Sequence, residues 1–98
     1  MMDERLLALR ADLYRVAGEY TRARMAYHSA LVSQDLPATV NEAVVTCHEW
    51  GARYMAALDA VLGHLAGTES TSERNGEVDR AQRLKELVVR ELDLITPG

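Results

Sequence analysis

Apolar residues set the first reading of this chain. From Asp3 they fall at Leu6, Leu9, Leu13, Val16, Tyr20, Ala23, Tyr27 and Ala30, alternating by three and four. That is the heptad seam of a long helix. Leu7, Tyr14, Ala17 and Leu31 widen the seam into a face, as a helix with more than one neighbour requires. Asp3 is suited to the N-cap. Gln34-Asp35-Leu36-Pro37-Ala38 interrupts the pattern, since Pro37 has no amide proton and restricts the residue before it. Thr39 and Glu42 have capping-box spacing. A second seam follows at Val40, Val44, Cys47, Gly51, Tyr54, Leu58, Val61 and Leu65. The polar run Gly67 to Gly76 has no period and is expected to be a mobile linker. Beyond it Val78, Ala81, Leu84, Val88, Leu92 and Ile95 return to helical spacing, with Leu87, Val89 and Leu94 on the flanks and Thr96-Pro97-Gly98 closing the pattern.

The spacing predicts helices over 3–34, 39–66 and 77–95 in one domain. The fold class is all-α: an antiparallel helical hairpin with a third, C-terminal helix, in a three-helix bundle or a dimeric helical bundle. If the hairpin closes near Pro37, Tyr27 lies opposite Cys47, Ala23 opposite Gly51 and Leu9 opposite Leu65. The small pair Ala23 and Gly51 is then expected to let the two helices approach closely. Glu49 with Arg53, Asp79 with Arg83 and Glu86 with Arg90 stand four apart in the favourable order and mark solvent faces.

Composition narrows the function. The 98 residues suffice for one modest core. Phe is absent, Ile occurs once, and good helix formers dominate. Net charge is −4, with sums of +1, −3 and −2 over 1–34, 35–66 and 67–98, so no nucleic-acid partner is expected. Lys85 is the only lysine beside ten arginines, a bias that suggests a GC-rich bacterial or phage genome. No apolar run approaches the roughly 20 residues of a membrane span, and the start Met1-Met2-Asp3-Glu4-Arg5 lacks signal-peptide character. The expectation is a cytoplasmic protein that does not engage membranes.

Candidate chemistry is sparse. Cys47 and His48, with His28 across the hairpin, are the only soft and imidazole ligands that could cluster. His64 lies 17 residues past Cys47, about 25 Å along the helix. Adjacent helical residues point about 100° apart, so Cys47-His48 is no catalytic dyad. No phosphate loop, zinc-protease motif or calcium loop occurs. The expected class is non-enzymatic and without cofactor or metal.

Part of the first segment resembles a tetratricopeptide repeat. Gly18, Tyr20, Ala23, Tyr27, Ala30 and Leu31 fall where that family's second helix carries its characteristic residues, and Leu7, Ala11 and Tyr14 suit its first. The resemblance covers about 25 of the 98 residues. Arg10 stands at an apolar position of the repeat, Pro37 comes later than its terminal proline, and a 34-residue shift finds no second copy. The resemblance implies a helix break at Gly18 and a peptide-binding groove, whereas a continuous helix through Gly18 excludes both.

The function that the residues point to is a small helical interaction protein, an adaptor, regulator or inhibitor that binds another protein by helical packing. A homodimer is expected, because the third helix spreads its apolar residues over more than one stripe. The alternatives are the tetratricopeptide-like module and a self-assembling structural component. Trp50, Met55, Leu84, Leu87 and Leu94 are the expected contact residues, Trp50 because it sits on a flank with Ala43, Ala57 and His64.

Overall fold

The computed structural model describes residues 3–96; Met1, Met2, Pro97 and Gly98, including the last two residues of the closing tripeptide, lie outside them. Three helices follow one another: α1 (Glu4–Val32), α2 (Pro37–Ala66) and α3 (Ser72–Leu94). α1 and α3 each pack on α2, while no Cα atoms of α1 and α3 come within 8 Å of each other. The molecule is a rod with extents of 52 × 21 × 16 Å. α2 is therefore the central element, and α1 and α3 run parallel to each other along it, joined by side chains but not in backbone contact.

Each helix start and stop has a local cause. Asp3 caps α1, its Oδ1 accepting from the Leu6 amide at 3.0 Å. α1 ends in a Schellman motif: Gln34 takes a φ of 54°, its amide donates to Leu31 O, and the Asp35 amide donates to Ala30 O. α2 begins two residues earlier than expected. Leu36 is its N-cap without a side-chain hydrogen bond, and Pro37 occupies the first turn. The Thr39–Glu42 capping box therefore does not form. Proline's fixed φ suits the first helical position, where its missing proton leaves nothing unpaired. The same residue thus stops one helix and starts the next.

The expected linker over 67–76 is also corrected, because α3 starts at Ser72. Thr71 is extended and its Oγ1 accepts from the Arg74 amide at 3.1 Å, with Glu73 in the first turn. This cap outweighs the helix-weakening effect of Gly76, about 1 kcal/mol. The connection is then only Gly67–Thr71. It is pinned by Arg74, whose Nε donates to Leu65 O at 3.0 Å, and by Thr68, whose hydroxyl donates to the same carbonyl at 2.7 Å.

The core follows the two predicted seams. Val16, Tyr20, Ala23, Tyr27 and Ala30 of α1 meet Val44, Cys47, Leu58, Val61 and Leu65 of α2. Tyr20 and Tyr54 lie 5.6 Å apart between ring centroids, in the register that sets Tyr27 opposite Cys47. At Gly51 the atoms nearest to a β-carbon belong to Leu92 on α3, so the glycine also admits the third helix. α3 adds Ala81 and Val88, and its C-cap Ile95 continues the seven-residue spacing on one narrow stripe. α1 passes unbroken through Gly18, so the helix–turn–helix of a tetratricopeptide repeat is absent.

Candidate partner-binding groove between the first and third helices

The narrow seat of α3 leaves a second stripe on each outer helix. On α1, residues 7, 10, 14, 17, 21, 24, 28 and 31 share a face by heptad spacing. On α3, residues 77, 80, 84, 87, 91 and 94 do the same. These stripes border a groove over α2. Near its N-terminal end lies a cleft of about 380 Å³ bordered by Tyr14, Arg80 and Leu84 above Leu58 and Val61. Near the other end a cleft of about 260 Å³ is bordered by His28, Leu31 and Leu94.

Six large apolar side chains stand open on the two stripes: Leu7, Tyr14 and Leu31 on α1, and Leu84, Leu87 and Leu94 on α3. Tyr14 is 76% exposed and Leu94 81%. Single exposed leucines are ordinary, but an aligned set along a groove marks an interaction surface.

Two ion pairs bridge the groove. Arg10 grips Glu77 with two hydrogen bonds, the Nε to Oε2 contact being 2.8 Å, and Arg24 pairs with Glu91. The two arginines are 14 residues apart, as are the two glutamates, so both bridges share one register separated by two heptads, about 21 Å. The hydrogen bonds from Arg10 hold the Glu77 carboxyl below its usual range, and Glu77 in turn raises Arg10. Beside the second bridge, Tyr20 is 1% exposed and its hydroxyl has no hydrogen-bond partner. Burial foremost, then the charge of Glu91, pushes its phenol up to about 12.

The expected contact residues divide. Leu84, Leu87 and Leu94 lie on the open stripe of α3. Trp50 does not join them. It is half-buried against Ala23, Tyr27, Val44, Cys47 and Ile95, with the Arg53 guanidinium 4.6 Å from its ring centroid. Arg53 thus covers an indole face. Met55 is half-buried on α2. The apolar pattern marks Tyr14 but not Arg10, Arg24, Glu77 or Glu91, although the matched 14-residue spacing of the charged residues is present in the sequence.

The soft-ligand residues are engaged separately. Cys47 is fully buried and its thiol is raised by burial. The Nε2–H of His48 donates to the Ile95 carbonyl at 2.7 Å, and His28 packs on Tyr27 at 5.4 Å between centroids. Among the described residues no group of three His, Cys, Asp or Glu side chains is placed to hold a metal. No helix among them is long and apolar enough to cross a membrane. No protein-family model, curated protein or solved structure matches the chain.

Proposed function

We propose that this chain is a non-enzymatic protein-interaction module whose α1/α3 groove receives a helical surface of a protein partner. One observation carries the reading: six exposed apolar side chains stand on the facing stripes of two separate helices, and four of them, Tyr14, Leu31, Leu84 and Leu94, border the clefts between those helices. Two parallel helices resting on a third leave the position of a fourth open, and helical packing is the surface that fits there. The net charge of −4 favours a protein over a nucleic acid as the partner. An adaptor, regulator or inhibitor role accords with a small rigid scaffold that offers one face.

The test is position-specific cross-linking. A photoreactive amino acid replaces Leu87 in the groove or, as the control, Val45, an exposed apolar residue of α2 outside it. After irradiation in bacterial cells, a defined adduct at position 87 and none at position 45 is the expected outcome. Equal labelling at both, or none at 87, would overturn the reading.

A further inference from the structure

We infer that the occupant of the groove is a second copy of this chain, packed face to face with all helices of the two grooves parallel and the two-fold axis running along them. The inference rests on the interaction reading above and names its partner. Three features lead to it.

The first is charge. The bridges Arg10–Glu77 and Arg24–Glu91 lie at two levels of the groove, arginine always on α1 and glutamate always on α3. A two-fold axis along the groove sets the partner's α1 over α3 at equal height. The partner's Arg10 then faces Glu77, and the partner's Arg24 faces Glu91, giving two rings of alternating sign. The antiparallel arrangement sets Arg10 over the partner's Arg24 and Glu77 over the partner's Glu91. Like charges facing each other across an interface are strongly disfavoured, so charge selects the parallel form.

Side-chain size agrees. The register of the bridges places Leu84 level with Ala17, and Leu87 near Thr21. With α1 over the partner's α3, large residues face small ones, the knobs-into-holes relation of helical bundles. The Thr21 hydroxyl already donates to Ala17 O at 2.9 Å, so burial leaves it satisfied. Antiparallel packing would instead set Leu84 against the partner's Leu84 and Ala17 against the partner's Ala17. The extent of the face is also sufficient. Over the roughly 35 Å of α3 and the 21 Å width of the molecule it offers about 700 Å² per copy, about 1,500 Å² in all, the area of ordinary stable interfaces.

Sedimentation equilibrium of the purified chain tests the stoichiometry, and disulfide trapping tests the geometry. The expected result is a dimer at about 100 μM, weakened about a hundredfold or more by Leu87→Glu, with helicity retained. Leu94→Glu, at a position too exposed for the monomer's fold to depend on it, is expected to weaken the dimer as well. Chains carrying Ala17→Cys and Leu84→Cys, made separately and mixed under oxidant, should form the mixed disulfide, while Leu84→Cys alone should not pair with itself. Cys47, fully buried, stays out of the exchange. A monomer at that concentration, a dimer indifferent to either folded glutamate variant, or Leu84→Cys joined to its own kind would overturn the inference. A monomer that nevertheless cross-links to a different protein at position 87 would sink this inference alone and leave the interaction reading standing. No adduct at position 87 would remove both.

Discussion

Leu92 of α3 occupies the space a side chain at position 51 of α2 would need. A β-carbon built on Gly51 stands 2.7 Å from Leu92 Cδ1, 3.0 Å from Cδ2 and 3.2 Å from Cγ. The whole end of the leucine is seated on the bare backbone of α2, and this contact sets how deeply α3 lies.

Gly51→Ala therefore sets two effects against each other. Alanine favours the helix by about 1 kcal/mol, and overpacking against Leu92 costs about 1–3 kcal/mol. The net expectation is a loss of about 1 kcal/mol in urea unfolding. In a Leu92→Ala background the clash is gone and the same substitution should stabilise by about 0.5–1 kcal/mol. A double-mutant cycle without that change of sign would show that the glycine has another purpose.

Gln34 closes α1 in the left-handed region at φ 54°, where a β-carbon is unfavourable by roughly 1–2 kcal/mol. Glycine has no such cost there, although it gains entropy in the unfolded chain. Gln34→Gly is expected to raise stability by about 0.5–1 kcal/mol, and Gln34→Val to lower it. Paired thermal melts of the two variants decide the matter.

The hairpin was legible because its seams are long and regular, and burial enforces them: the predicted positions Val16, Tyr20, Ala23 and Tyr27 are all closed to solvent. The start of α3 is not legible from composition, in which Gly76 and the polar run outweigh Thr71, whereas the cap decides locally. Periodicity places Trp50 on a flank but does not tell whether α3 or a partner covers it; it packs on the cluster that includes Ile95. The groove itself was hidden for a different reason. It depends on how α1 and α3 are placed on α2, which long-range contacts such as Leu92 on Gly51 fix and periodicity does not encode. The bridge spacing was present in the sequence but gains meaning only once α1 and α3 are known to be parallel.

Acid should weaken the closure of the groove. Glu77 is held below its ordinary value by the hydrogen bonds from Arg10, and Asp3 is lowered by those from His64 and the Leu6 amide. A carboxylate whose folded value is depressed binds fewer protons folded than unfolded. Its contribution is thus present above the ordinary carboxylate range, about pH 4, and is lost as pH falls through the folded value. Stability should decline from about pH 5 downwards, and Glu77→Gln should make that decline shallower while lowering stability at neutral pH. An acid limb unchanged in Glu77→Gln would mean that the Arg10 bridge carries no linkage in solution.

At the other bridge, Tyr20 raises the opposite question, what a buried hydroxyl does without a partner. Its oxygen is enclosed beside Arg24 and Glu91 but makes no hydrogen bond. Burying such a group costs about 1–3 kcal/mol, while the ring, tilted against Tyr54, supplies the packing. Tyr20→Phe keeps the ring and removes the orphaned oxygen, so it should be neutral or stabilising by about 1 kcal/mol at pH 7. The pH profile gives an independent readout. With the phenol raised to about 12, the folded chain retains a proton that the unfolded chain loses near pH 10, so stability drops as pH climbs between those values. Tyr20→Phe should flatten that alkaline limb, leaving the part owed to Tyr54 and Cys47, whose phenol and thiol burial also raises. A clear destabilisation at pH 7 with the alkaline limb intact would mean that the hydroxyl is bonded in solution and that Tyr20 helps to hold the Arg24–Glu91 bridge.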